Sequence, residues 1–212
     1  MWRNSRETYD QRARLYDRMV RSRRYNRLAW GTSPDDYERF AAQALTDGNG
    51  PLLDAGCGSA AATASLYRAT DRPLVLADRS AAMLELAAAR IGAHQAVRYV
   101  VCDLMSPPFR PGEFGTVGCY GVLHLIEDVT GWVTRLRTLS AGRVFLSALV
   151  AERPVSRGYL HALNRAGEVA RPRTAAELEA AVREGAKGAS VEFRLRGAMS
   201  YVIVGSGESS YA

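Results

Sequence analysis

Lysine is almost missing from this sequence: Lys187 is the only one among 28 basic residues, and arginine supplies the rest. Cysteine and histidine are scarce too, with three of each (Cys57, Cys102, Cys119; His94, His124, His161). Cysteines so few and so far apart exclude a disulfide framework and a thiolate zinc site. With no other cluster of ligand residues in view, the chemistry is expected to be metal-independent. No apolar run approaches the roughly 18–20 residues that a membrane-spanning helix requires, and the nearest candidate, Val144–Ala151, has the length of a strand. The arginine-rich start lacks the apolar stretch and small-residue cleavage site of a secretory signal. These absences predict a cytoplasmic protein with no membrane span.

The 212 residues, 47% hydrophobic and 24% charged, suit one globular domain with a sizeable core. Residues 1–30 hold nine arginines against Glu7, Asp10 and Asp17, which accounts for all of the formal net charge of +6 and leaves the remainder neutral. Because arginine is the general-purpose cation here, a single arginine says little about phosphate. The plain interpretation of the segment is a solvated basic helix, and the functional one is an electrostatic guide.

Residues 5–29 read as one or two helices, with Tyr9 and Tyr16 seven apart and therefore on one face. A break at Gly31-Thr32-Ser33 follows, and Ser33-Pro34 opens a second helix that runs to Leu45. After Asp47-Gly48-Asn49-Gly50, strand and helix patterns alternate. Strands are expected over 51–55, 74–77, 97–101, 116–120 and 144–150, with helices over 59–68, 80–91 and 129–139. Such alternation predicts a parallel sheet with helices on both faces. Toward the end come a short helix near 156–164 and a helix over 175–184, the latter opened by a Thr174/Glu177 capping box. Two strands, 191–195 and 200–204, joined by Arg196-Gly197-Ala198, close the chain as an antiparallel pair. The expected division is an N-terminal helical cap over 1–46 and a single α/β unit over 47–212.

The strongest local signal is Leu53-Asp54-Ala55-Gly56-Cys57-Gly58, a strand running through a glycine turn into a helix. Glycine permits a tight turn and a close approach of backbone to ligand, and open parallel sheets bind ligands at this carboxyl edge. Asp78 ends the next strand twenty residues after Gly58, where a carboxylate can accept from both hydroxyls of a ribose. Gly56-x-Gly58-x-x-Ala61 also satisfies a dinucleotide fingerprint, but three features favour another ligand. Asp54 would repel a pyrophosphate and attract an ammonium. Cys102-Asp103-Leu104 ends the third strand and offers a carboxylate to an exocyclic amine. The closing antiparallel pair stands where a dehydrogenase usually has a second mononucleotide-binding half.

With these motifs, and with Leu76-Ala77-Asp78-Arg79-Ser80 and Gly121-Val122-Leu123-His124-Leu125-Ile126-Glu127-Asp128, the sequence over roughly residues 5–205 resembles the class I S-adenosylmethionine-dependent methyltransferases. The likeness is to the small-molecule group that includes ubiquinone and menaquinone methyltransferases. It implies an α/β fold with a Rossmann-like seven-stranded sheet in the order 3214576, strand 7 antiparallel. It also implies that Asp54, Ala55, Gly56, Cys57 and Gly58 surround the methionyl part of S-adenosylmethionine and that Asp78 holds the ribose. Cys102, Asp103 and Leu104 would frame the adenine, and Arg79 and Met83 would flank the nucleoside. The Tyr120 carbonyl would face the methionyl amine. Tyr9 and Tyr16 resemble tyrosines that close an N-terminal helix over the cofactor, the alternative being simple helix packing. The cysteines read as small buried fillers rather than nucleophiles. Gly115 departs from the family pattern, which commonly has an aspartate at the start of the fourth strand, a structural position.

Methyl transfer asks little covalent chemistry of a protein, because holding nucleophile, methyl carbon and sulfur in line supplies much of the acceleration. A general base helps where the acceptor is a hydroxyl or an acidic carbon. His124, just after the fourth strand, is the leading candidate, with substrate shaping as its other role. Residues 1–45 and 151–172 would form the acceptor pocket, with Tyr159 and His161 as further substrate contacts. The expected reaction converts S-adenosyl-L-methionine to S-adenosyl-L-homocysteine and methylates a small molecule. Methylation of RNA or protein, guided by the basic segment, is the alternative. No RNA-binding module accompanies that segment, and the fourth strand lacks Asn/Asp-Pro-Pro-Tyr, so nucleic acid is not the expected partner. A cofactor-binding homologue that does not methylate is the remaining alternative, since fold alone does not fix chemistry.

Overall fold

The computed structural model describes residues 22–206, so Tyr9, Tyr16 and the helix expected before residue 22 lie outside the described residues. The described chain starts with a single helical turn, Arg23–Tyr25, capped by Ser22, whose side chain accepts from the Tyr25 N–H. It widens into a π turn, Asn26–Trp30, which Gly31 ends in the left-handed conformation. Helix α1 (Pro34–Thr46) starts where its cap requires, with the Ser33 side chain accepting from the Asp35 N–H and Pro34 in the first turn.

Seven strands follow: β1 (Leu52–Ala55), β2 (Leu74–Asp78), β3 (Val97–Val101), β4 (Phe114–Cys119), β5 (Ser140–Leu149), β6 (Val191–Arg196) and β7 (Met199–Val204). They form one sheet in the order β3-β2-β1-β4-β5-β7-β6. Strands β1 to β5 pair in parallel, and β7 runs antiparallel to both β5 and β6. This is the expected 3214576 topology with its reversed last strand.

Alternation along the strands sorts the core into two layers. Leu52, Leu74, Leu76, Phe145, Tyr201 and Ile203 face α1, α2 (Ala64–Arg68) and α3 (Ala81–Ile91). Their immediate neighbours Leu53, Val75, Val144, Leu146, Val202 and Val204 face α4 (Val129–Leu139) and α6 (Ala175–Ala186). Between β5 and α6 the chain forms α5 (Pro154–Arg165), which packs Leu160 with Trp30, Ala151 and Ala198 in a third, smaller cluster. At the start of α3 Ser80 accepts from the Met83 N–H, and the expected Thr174/Glu177 box forms reciprocally at the start of α6.

Two expected boundaries move by four residues or more. Strand β5 starts four residues before the expected Val144, because Ser140 already pairs with Phe114 across an irregular step in the β4–β5 ladder. Helix α2 starts at Ala64 instead of Ser59, because Gly58 and Ala60 take φ values of 53° and 50° that no right-handed helix accommodates.

The amino edge of the sheet is closed by packing. Arg72 donates to the carbonyls of Ala44, Leu45, Asp47 and Gly50 and to Thr116 Oγ1, at 2.8–3.0 Å, satisfying acceptors at the end of α1. Gly115 lies against this turn: a Cβ built on it would stand 1.5 Å from the Asn49 carbonyl oxygen. The aspartate common at that family position therefore has no room here. Gly115→Asp must displace the turn at 47–50, and the expected cost is about 2 kcal/mol, or a fall in Tm of roughly 4–8 °C. An unchanged melting temperature would show that the turn yields freely.

Candidate active site

The carboxyl ends of β1, β2, β3 and β4 carry most of the residues singled out in the sequence. At the end of β1, the Gly56 and Cys57 N–H groups both donate to the Ala77 carbonyl, at 2.8 and 3.2 Å, folding the glycine turn over the end of β2. Gly56 sits at φ 78°, and a Cβ there would stand 2.9 Å from Val122 Cγ2, so the position favours glycine on both counts. Ala60 adopts the left-handed conformation with a side chain, at a cost of about 1 kcal/mol.

Asp78 binds the turn to the next helix: Oδ2 accepts from the Gly58 N–H and Oδ1 from the Ser80 N–H, both at 2.9 Å. Burial raises its pKa, and these hydrogen bonds oppose the shift. Arg79 stands next to it, partly buried, and Met83 is buried in the first turns of α3. The Cys102 N–H donates to the Asp78 carbonyl at 3.0 Å, which brings the end of β3 alongside. Asp103 is exposed, with Oδ1 accepting from the Met105 N–H at 2.9 Å, and Leu104 is buried beneath it.

Asp54 is the most unusual group. Two residues on from Leu52, it shares that residue's face and so points into the layer of α1, α2 and α3, where it is 1% exposed. Oδ2 accepts from the Tyr67 hydroxyl of α2 at 2.7 Å, and Oδ1 has no hydrogen-bond partner among the described residues. Burial pushes its pKa up to about 7, the Tyr67 hydrogen bond resists, and the nearby Asp78 adds to the rise. Tyr120, just past β4, folds its ring back over Gly118, the register partner of Asp54, and its buried hydroxyl also has no partner among the described residues. A buried carboxylate oxygen left unpaired is costly. It fits a cationic or hydrogen-bond-donating group of a ligand arriving at this edge.

The three cysteines are all held as neutral thiols: burial pushes Cys119 up to about 12 and raises Cys57 and Cys102. None has the thiolate character of a nucleophile.

His124 sits on a short 3₁₀ turn, Leu123–Leu125, after β4. Its Nδ1 accepts a long hydrogen bond from the Leu149 N–H (3.4 Å), and its carbonyl accepts from the Ala170 N–H at 3.0 Å. Burial pushes its pKa down to about 4, so the ring is neutral near pH 7. With Nδ1 accepting, the hydrogen-bond pattern assigns the ring proton to Nε2. His124 lines a small cleft with Leu149, Leu160, Val169 and Arg173. Tyr159 is not brought to this cleft; its ring packs edge-on against Trp30 and Tyr25, with centroids 5.2 and 6.1 Å away. His161 is exposed on α5.

Sequence reasoning missed two contributors. Tyr67 lies thirteen residues beyond Asp54 on a helix whose start was misplaced, so nothing local linked the pair. Glu127 ties the loop after α5 to the turn that carries His124: its backbone carbonyl accepts from Arg173 and its carboxylate from the Arg171 N–H. Arg173 reads as one more surface arginine in the sequence, yet it is only 8% exposed.

The reversed seventh strand, the glycine turn and the acidic ends of β1 and β2 define a class I methyltransferase fold. Residues 52–140, from β1 to the first residue of β5, match the family described as the methyltransferase domain. The matched segment is set within a sheet of the class I S-adenosylmethionine-dependent methyltransferase type. Among solved structures it resembles a chain of the complex between the Haloferax volcanii Trm112 methyltransferase activator and a methyltransferase (TM-score 0.72, 14% identity, covering 99% of this chain and 100% of that one). It also resembles geranyl diphosphate C-methyltransferase from Streptomyces coelicolor (TM-score 0.63, 15% identity, 80% and 74% covered). A third likeness is to a SAM-dependent methyltransferase from Thermotoga maritima (TM-score 0.66, 14% identity, 96% and 100% covered). At such identities these likenesses speak to the fold. No curated protein sequence matches the chain.

The raised pKa of Asp54 has a thermodynamic consequence. The folded carboxyl stays protonated up to about pH 7, whereas the unfolded one ionises near 3.8. Its contribution to stability is therefore complete below pH 3.8 and is lost as the pH rises through 7. Asp54→Asn should flatten the fall in stability between pH 4 and 7.5, read from urea midpoints. An identical pH profile in the variant would mean that Asp54 ionises normally.

Proposed function

We propose that the chain transfers a methyl group from S-adenosylmethionine to a small-molecule acceptor by in-line displacement. One observation carries the cofactor side of this reading: the buried Asp54 carboxylate, beside the Gly56–Gly58 turn, keeps an oxygen unpartnered where an ammonium would satisfy it. Asp54 and the backbone of Ala55, Gly56, Cys57 and Gly58 would hold the methionyl end. Asp78 retains lone pairs for ribose hydroxyls beyond its two backbone donors. Asp103, Cys102 and Leu104 would frame the adenine, Arg79 and Met83 would flank the nucleoside, and the Tyr120 carbonyl would face the amine. When bound, the cofactor supplies an electrophilic methyl carbon on a sulfonium, so the protein's task is placement.

On the acceptor side, His124 would shape the pocket and donate from Nε2. A general-base role requires the other tautomer, with the Leu149 N–H released. Tyr159 would act through the aromatic cluster that it makes with Trp30 and Tyr25. The outer side of α5 presents Arg153 at its cap, then Arg157, His161 and Arg165, every fourth residue, all exposed and with no acid on the helix. Such a face favours an acidic acceptor through its field, and a related fold acts on geranyl diphosphate. Residues 1–46 are assigned as a cap, with Tyr9 and Tyr16 over the cofactor. A second reading, in which the chain works with a protein partner and methylates a larger substrate, is favoured by the full-length overlap with a chain of the Trm112 complex.

Calorimetric titration with S-adenosylmethionine, S-adenosylhomocysteine and NADH tests the cofactor reading: micromolar binding of the first two alone is expected, and NADH binding would replace it with a reductase. Binding by the chain produced alone would also count against an obligate activator. Deleting residues 1–21 should weaken S-adenosylhomocysteine binding with no change in Tm. Equal affinity in the truncated protein would remove Tyr9 and Tyr16 from the site.

A further inference from the structure

We propose that Tyr67 is a positioning residue for the amino-acid end of the cofactor: its hydroxyl fixes one oxygen of Asp54 so that the carboxylate meets the methionyl ammonium in a single orientation. The proposal rests on the cofactor reading above and adds a residue that no part of the glycine motif contains.

Tyr67 is fully buried in an apolar layer with Phe40, Leu52, Leu74 and Phe145. A ring placed there only to fill space has no use for a hydroxyl, and a buried tyrosine hydroxyl needs a partner. The partner is Asp54 Oδ2, at 2.7 Å. The geometry depends on the glycine turn, because the left-handed residues Gly58 and Ala60 delay α2 until Ala64. The titratable groups around Asp54 are Tyr67 from α2, Asp78 from β2, Cys57 from the turn, Cys119 at the end of β4 and Tyr120 just past it. None is a cation. Burial and Asp78 both favour the neutral acid, and the Tyr67 hydroxyl is the contact that favours the carboxylate. Removing that hydroxyl frees the carboxyl group to rotate and makes it harder to ionise.

The test is calorimetric titration of the full chain with S-adenosylhomocysteine and with 5′-methylthioadenosine, which has the nucleoside but no amino-acid end. Tyr67→Phe should weaken S-adenosylhomocysteine about tenfold at pH 7, the scale of one charged hydrogen bond, and leave 5′-methylthioadenosine within about twofold. The deficit should shrink as the pH rises and Asp54 ionises without help. Asp54→Asn should show the same selectivity between the two ligands, and adding Tyr67→Phe to it should cost little more, because the tyrosine acts through the aspartate. Equal losses on both ligands would reduce Tyr67 to a structural role and overturn the proposal, as would unchanged S-adenosylhomocysteine binding in Tyr67→Phe. If the wild-type chain bound neither ligand, the cofactor reading itself would fail, a result distinct from either of these. Should Tyr67→Phe not fold, Asp54→Asn alone decides: non-selective loss, or no loss, overturns the proposal.

Discussion

Strand β1 lies between β2 and β4 with all four of its residues buried, and its third residue is a carboxylate. Ionising an isolated carboxylate in such a place costs several kcal/mol even after relaxation. The surroundings relieve that cost only in part. Tyr67 supplies one hydrogen bond, and Asp78 stands near enough to oppose ionisation. On the β4 side, Gly118 lacks the Cβ that would otherwise stand 2.4 Å from the Tyr120 hydroxyl, so the ring can lie over the register partner of Asp54. The result is a half-compensated acid at the carboxyl edge of the sheet.

Glycine is used differently at the two ends of the sheet. At the amino edge, Gly115 is needed for space: the backbone of the turn at 47–50 presses against it, and Arg72 fastens the same turn to α1 and β4. At the carboxyl edge, Gly56 and Gly58 are needed for their left-handed φ, which folds the chain back across the end of β2 and delivers a backbone N–H to Asp78. One edge is thereby packed shut, and the other presents backbone donors and carboxylates. The proposed placement of the ligand at the carboxyl edge accords with that asymmetry.

Most of the sheet was legible because its strands are short apolar runs separated by turn residues, and because the family resemblance carried by the glycine motif implies the order of strands. Ser80 and the Thr174/Glu177 box were legible because a cap is a contact between residues three apart. What escaped was nonlocal or conformational. The start of α2 depends on Ala60 taking a conformation that alanine seldom adopts. Tyr67 meets Asp54 only once that start is known. Arg72 and Arg173 are ordinary cations in the sequence and become caps and braces only through the carbonyls that the fold brings to them. The Gly115 departure was visible, but the reason for it lies in the Asn49 carbonyl, 66 positions earlier in the chain.

The same distinction separates the two halves of the candidate site. The cofactor side is assembled from the ends of consecutive strands, so its residues sit at regular intervals and form a motif. The proposed acceptor side is assembled from segments far apart in the chain. The Ala198 N–H donates to the Trp30 carbonyl at 2.7 Å, and a Cβ on Gly197 would stand 2.4 Å from that same oxygen, so the last hairpin turn fixes where the N-terminal segment crosses. Tyr25 and Trp30 then hold Tyr159 and with it α5, while Glu127 holds the loop that follows α5 against His124. A substitution in the β6–β7 turn can therefore reshape the acceptor side without touching a residue of the cofactor motif. Within such a fold the acceptor can change while the cofactor chemistry stays constant, because the two sides share the sheet but almost none of the contacts that shape them.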